Sequence, residues 1–112
     1  MSYDEGLAER LREFLCSDQS IREKKMFGGL AFMSRDYMFV GIVGETLMAR
    51  VGPAHYDVAL SHSHVREMDF TGKPMKGYVF VDPPGFEDDA ALAAWVHQCL
   101  LFVQSLPPKK RK

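Results

Sequence analysis

The stretch most able to do chemistry is KKMFGGLAFM at residues 24–33, where a glycine pair follows two lysines. Glycine-rich loops can bind phosphate, but a phosphate loop places its lysine after the glycines and then opens a helix. Here the lysines come first, and strand-like residues follow. The pattern therefore predicts a bend or bulge between two strands, with Phe27 and Phe32 in or near the core. We assign four residues to this structural motif: Met26, Phe27, Gly28 and Gly29.

Histidines and cysteines do not form a pattern typical of a catalytic or metal site. His62 and His64 could share one face of a strand, but zinc needs three or four ligands and no cysteine is near. Cys16 and Cys99 fall in predicted helices without Cys-x-x-Cys spacing, which favours free, mostly buried thiols over a disulfide. No Gly-x-Ser-x-Gly motif occurs. We predict no catalytic residue, no metal and no cofactor.

Cationic side chains provide the best candidates for an interaction surface. The loop TGKPMKG at 71–77 and the terminal PPKKRK could meet phosphates or an acidic partner. The alternatives are a solvated connection and a disordered, solubilising tail. The candidate surface comprises Lys24, Lys25, Thr71, Lys73, Lys76, Lys109, Lys110, Arg111 and Lys112.

Charge is unevenly distributed along the 112 residues, although the net charge is only −1. The net charge is −3 for residues 1–18, +2 for 19–76, −4 for 77–108 and +4 for 109–112. Because both predicted terminal helices are acidic, specific DNA binding is not expected to be the main function; weak, non-specific binding stays open. The acidic N-terminus and the lack of a long apolar run predict a cytoplasmic protein without a membrane association.

Periodicity predicts a helix at each end of the chain and a short one in the middle. The first helix has capping-box spacing at Ser2 and Glu5. Pro53 opens the middle helix, at about 53–61, and Asp88 or Asp89 caps the last. The apolar face of the first helix consists of Leu7, Leu11, Phe14 and Leu15. That of the last consists of Leu92, Trp95, Val96, Cys99, Leu100, Phe102, Val103 and Leu106.

Short apolar runs between the first two helices predict an antiparallel meander. Loops this short cannot make parallel crossovers, and Gly44-Glu45 suits a type II′ hairpin. The predicted strands are 21–27, 30–33, 37–43, 46–51, 65–70 and 78–81. The predicted fold is α+β: a two-layer arrangement of about five or six strands with N-terminal, middle and C-terminal helices packed on the sheet. Residues 1–108 form one domain and 109–112 a basic tail.

Three blocks and the last helix together resemble the N-terminal domain of the TfoX/Sxy family of bacterial competence regulators. The blocks are KKMFGGLAFM, LMARVG and MDFTGKPMKGYVFVDP, and the similarity runs from about Tyr3 to Pro108. The resemblance implies the α+β fold, a bacterial cytosolic protein and an association with transcription control, because full-length members act as coactivators with the cyclic-AMP receptor protein. Those regulators carry a second, helical domain, so the resemblance is to a stand-alone copy. It supplies no catalytic residues.

Three hypotheses for the function follow. The first is a non-enzymatic regulatory module that binds a protein partner and could act at promoters. The second is a homodimeric protein–protein adaptor, joined through a sheet edge or a helix, without a nucleic-acid role. The third is an undetected enzyme or small-ligand binder, which a deep pocket with convergent polar groups would favour.

Overall fold

The computed structural model describes residues 3–16, 20–26, 28–68 and 77–107. Helix α1, Glu5–Leu15, begins after Asp4, whose side chain accepts a hydrogen bond from the Gly6 amide at 2.9 Å. The N-cap is therefore Asp4 and not Ser2, so the predicted capping box is wrong. An aspartate placed directly before the first helical residue satisfies the same free amides.

The buried face of α1 is shifted slightly from the predicted stripe. Leu7, Leu11 and Leu15 are buried as predicted, and Ala8 is buried with them. Ala8 moves the centre of the buried face around the helix and away from Phe14. Phe14 consequently lies at the margin and is 39% exposed, which corrects its assignment to the core.

Six antiparallel strands form one sheet in the order β1-β2-β3-β4-β6-β5. The first four strands follow the predicted meander. Strand β6 then lies between β4 and β5, so the last two strands do not continue it. The bounds are β1 Arg22–Met26, β2 Gly29–Ser34, β3 Tyr37–Val43, β4 Thr46–Arg50, β5 Val65–Glu67 and β6 Tyr78–Val81.

Of the predicted bend or bulge, the structure shows the bend, because the glycine pair lies at a hairpin between β1 and β2. Met26 pairs with Gly29, so the two strands are joined over two positions, and Gly28 at the second of them has φ +73°. A Cβ on Gly29 would lie 1.9 Å from the carbonyl oxygen of Ile42, so only glycine fits at the start of β2. Phe27 lies outside the described residues.

The irregularity in the sheet occurs one strand further on. Phe32 pairs with Val40, while the next residue of β2, Met33, pairs with Met38. Phe39 is therefore an extra residue in β3, and both Phe39 and Val40 reach the main core. Phe32 is 1% exposed, as the sequence predicts.

The two remaining tight turns of the meander have the geometry that right-handed strand twist favours. Arg35 and Asp36 both have positive φ, 52° and 69°, which is the type I′ arrangement. In the Gly44-Glu45 turn only the glycine has positive φ, 61°, as the predicted type II′ turn requires.

The helices pack on one face of the sheet, which confirms the two-layer α+β fold. A 3₁₀ turn, Pro53–His55, leads into α2, Tyr56–Leu60, and a second 3₁₀ turn, Pro83–Phe86, precedes α3, Asp89–Gln104. Asp88 caps α3 by accepting a hydrogen bond from the Ala90 amide.

Both cysteines are free thiols, as predicted, but only one is buried. Cys99 of α3 belongs to the core, whereas Cys16 is exposed at the end of α1. Within the described ranges, no helix has the length and apolar character needed to cross a bilayer.

Candidate interaction surface

Strand β1 lies at one edge of the sheet and carries four consecutive charged residues. Among the described strands it pairs with β2 alone, so its other edge has no strand partner. Arg22, Glu23, Lys24 and Lys25 are all exposed. An edge strand of this kind can accept an additional strand from another chain, and charged side chains decide which strands fit.

Two of these charges face the helices. Glu23 lies opposite Phe32 and Lys25 opposite Leu30, and both apolar partners belong to the main core. Glu23 accepts two hydrogen bonds of 2.8 Å from the Arg12 guanidinium of α1. These bonds lower the pKa of Glu23 and raise that of Arg12. The bidentate pair thus fastens α1 to the edge strand.

The other two charges face the outer side of the sheet, away from the helices. Arg22 lies opposite Met33 and Lys24 opposite Ala31. One row of paired positions crosses this outer face with a cation at each end: Lys24, Ala31, Gly41, Met48, Phe80 and Arg66. Alternation therefore separates the lysine pair, with Lys24 on the outer face and Lys25 on the helix side.

The centre of the outer face is apolar. Met48, Met68 and Phe80 form a second, smaller core cluster, against which Met38, Val43 and Tyr78 pack while partly buried. The Arg66 guanidinium lies 4.9 Å from the centre of the Phe80 ring. Cationic side chains thus border a methionine-rich centre on both sides.

A concavity of about 450 Å³ adjoins the outer side of β1. Its lining combines three cations, two carboxylates, a thioether and a hydroxyl: Arg22, Lys24, Arg35, Glu23, Asp36, Met33 and Ser20. Arg35 is held in place because it donates hydrogen bonds to the carbonyl oxygens of Val103 and Leu106. We call Arg22, Lys24 and this concavity the basic edge.

The cations of β1 differ from the other Lys and Arg residues that the structure describes. Five arginines are engaged: Arg10 with Asp89, Arg12 with Glu23, Arg35 with the carbonyl oxygens of Val103 and Leu106, Arg50 with three aromatic rings and Arg66 with Asp82. Within the described ranges, Arg22, Lys24 and Lys25 make no ion pair, side-chain hydrogen bond or ring contact. Their charge is therefore available to a partner.

Two buried side chains have pKa values that the fold raises, and the shift activates neither of them as a nucleophile. Burial raises the pKa of the Cys99 thiol to about 12, so this thiol stays protonated and unreactive at neutral pH. Burial and the Glu67 carboxylate raise the pKa of Tyr56. Across the described part of the chain, no three His, Cys, Asp or Glu side chains form a group that could hold a metal.

The structure places two residues of the predicted interaction surface. Lys24 and Lys25 are exposed, on opposite faces of β1. The other seven residues of the predicted surface lie outside the described residues: Thr71, Lys73, Lys76, Lys109, Lys110, Arg111 and Lys112. Arg22 and Met33 are additions that the sequence analysis missed. The i, i+2 spacing of Arg22 and Lys24 on a predicted strand would have indicated a shared face.

The fold and the basic edge define a small α+β domain with a cationic edge strand. The sequence model of the TfoX N-terminal domain matches residues 13–103, and the chain belongs to that family. None of the curated proteins and none of the solved structures matches the chain.

Proposed function

We propose that this domain is a non-enzymatic regulatory module of the bacterial cytoplasm that acts by binding a protein partner through the basic edge. Membership of the TfoX N-terminal domain family supports the regulatory, competence-type role. The observation that carries the binding mode is the unpaired charge of Arg22 and Lys24 beside the concavity on the outer side of β1.

The chemistry of the concavity favours an acidic protein segment over a phosphate backbone. Glu23 and Asp36 also line it, and their carboxylates would repel a closely spaced row of phosphates. A peptide can place a carboxylate beside Arg22 or Lys24 and an apolar side chain on Met33. A mixed acidic and apolar segment therefore fits this lining best.

The partner segment binds in an extended form and adds a strand to β1. Main-chain hydrogen bonds to the free edge of β1 supply affinity, and alternate side chains enter the concavity and supply specificity. Three cations against one anion on β1 disfavour pairing of this edge with a copy of itself. The edge thus selects an acidic strand from a different protein.

The promoter version of this role is tested by titrating the purified protein onto labelled duplex DNA at low salt, with and without the cyclic-AMP receptor protein. We expect that the protein does not change the mobility of the duplex alone. At the same concentrations it should further retard the complex of the duplex with the receptor protein. The double variant Arg22→Gln, Lys24→Gln is expected to lose that second shift.

The matched control in this titration is Lys25→Gln, which removes a neighbouring charge from the other face of β1. It is expected to retain the shift. If neither duplex nor receptor–DNA complex shifts with the unmodified protein, the promoter role is wrong. A shift of duplex alone would assign the cations to DNA instead.

A further inference from the structure

Helix α3 presents an unusual face to solvent. No Asp, Glu, Lys or Arg occurs from residue 90 to residue 104. The exposed positions form one uncharged stripe: Ala90, Ala94, His97, Leu101 and Gln104. A surface helix that packs on a core with one side normally carries charge on the other. Helix α1 obeys that rule, with charged residues along its exposed side, and α3 does not.

An apolar groove runs beside this stripe. A cavity of about 490 Å³ lies between α3 and the 3₁₀ turn before α2, with Leu101, Phe102, Ala54 and His55 among its lining residues. Leu101 is 53% exposed at its rim. A leucine that protrudes beside an apolar groove is typical of a helix-packing surface.

The spacing of the stripe is that of a coiled-coil seam. Its members are separated by four, three, four and three residues, the 3.5-residue average at which two helices stay in contact along their length. Large and small side chains are also segregated, because the N-terminal half carries Ala90 and Ala94 and the C-terminal half carries His97 and Leu101.

We propose that α3 packs antiparallel against α3 of a second copy of this chain. In the antiparallel register that this seam permits, Leu101 lies opposite Ala90 of the second copy, and His97 lies opposite its Ala94. Each layer then joins a large side chain to a small one, which allows the helices to approach closely. A parallel pair would instead stack Leu101 on Leu101 and leave a gap between the alanines.

Sedimentation velocity over roughly 5 to 500 μM protein tests the dimer, because an interface of one helix pair with its flanks is expected to bind in the micromolar range. Leu101→Glu places a charge in the seam and is expected to raise the dissociation constant at least about tenfold. The matched control is Val58→Glu, since Val58 is also an exposed aliphatic residue, 63% exposed, on α2 and outside the groove. That variant should dimerise within about twofold of the unmodified protein.

A protein that stays monomeric throughout, leaving the groove to a helix of another protein, overturns the proposal. Equal loss of dimer in the Leu101→Glu and Val58→Glu variants also overturns it.

Cysteine cross-linking tests the orientation, in a Cys16→Ser background that leaves the buried Cys99. A mixture of Ala90→Cys and Leu101→Cys proteins should form the mixed disulfide, because these positions face one another in the antiparallel pair. Each variant alone should not cross-link, since its own copies lie about 16 Å apart along the helix. Predominant cross-linking of each variant with itself would show a parallel pair and contradict the proposal.

Discussion

Gly28 and Gly29 are adjacent in sequence but meet different constraints. Gly28 needs its positive φ of 73° for the hairpin, and a Cβ there would meet no atom within 4 Å. Gly29 needs the absence of a side chain, since a Cβ would overlap the backbone of β3 at Ile42. The first requirement is conformational and the second is steric, so the two can be separated by mutation.

Gly29→Ala is expected to destabilise the fold by roughly 2–4 kcal/mol, because neither backbone can move without breaking the sheet. Gly28→Ala should lower the free energy of unfolding by about 1–2 kcal/mol, because alanine must adopt a left-handed backbone conformation there, although its side chain meets no neighbour. Urea unfolding of the two variants measures both values. An alanine at 28 that destabilises more than one at 29 would contradict the close approach of β2 and β3.

The Arg12–Glu23 pair should make stability depend on pH. The pKa of Glu23 is lower in the folded protein than in the unfolded chain, where it is near 4.5. The stabilisation is therefore complete above that pH and disappears as the pH falls through the lower, folded-state value. Since both side chains are more than a third exposed, we expect less than about 1 kcal/mol from the pair.

Glu23→Gln consequently should reduce the free energy of unfolding at pH 7 and converge with the unmodified protein in acid. Thermal unfolding at several pH values measures this difference. The double variant Arg12→Gln, Glu23→Gln completes the cycle and should be little worse than either single variant. Strictly additive losses at pH 7 would show that the pair does not couple.

At the scale of elements, the turn between β2 and β3 holds the end of α3. Arg35 donates to the carbonyl oxygens of Val103 and Leu106, and the Tyr37 hydroxyl donates to that of Pro107 at 2.6 Å. Val103 lies in the last turn of α3, and Leu106 and Pro107 follow shortly after the helix, so these bonds fix the helix end and the segment behind it.

Arg35→Ala should let the last turn of α3 fray and cost about 1–2 kcal/mol. Hydrogen exchange at the amides of Ser105 and Leu106 is expected to accelerate several-fold. Amides in the middle of α3, such as that of Val96, are the internal control. Their exchange rates should change only as far as the global stability of the variant changes. Unchanged exchange at the helix end would show that the turn does not hold it.

The elements were predictable where the signal is local. Strands β3 and β6 have the predicted bounds because alternation and tight turns define them. The N-cap was misplaced because Ser2 and Asp4 are both good caps, and the choice depends on where the chain leaves the sheet: the Asp4 amide bonds to Gly44. The extra residue at Phe39 could not be predicted, since a bulge changes pairing between strands and not the pattern within one.

At the scale of the whole molecule, the order of the last strands could not be predicted. Strand β5 has only three residues, two of them charged, and β6 only four, and local sequence does not say which one pairs with β4. The basic edge was half predicted: sequence indicated Lys24, and strand alternation could have added Arg22. Adding Arg35 required the position of the turn after β2. Alternation also separates Lys24 from Lys25, but only the pairing with core residues shows which of the two faces the helices.

The molecule presents two independent surfaces. The basic edge lies on the outer side of β1, and the uncharged stripe belongs to α3 in the helical layer. A dimer formed through α3 would therefore carry two basic edges, and two copies of a partner would bind with higher avidity than one. Partner binding by the Leu101→Glu variant should consequently weaken for a multivalent partner and stay unchanged for a monovalent one.

The most direct test of the central claim is quantitative affinity capture from the native cell after nuclease treatment, comparing Lys24→Gln with Lys25→Gln. The two variants change the net charge equally, at adjacent positions on opposite faces of β1. The account predicts that one acidic protein partner is retained by Lys25→Gln at the level of the unmodified protein and is reduced several-fold by Lys24→Gln. Equal retention, or equal loss, in the two variants would contradict binding through the basic edge.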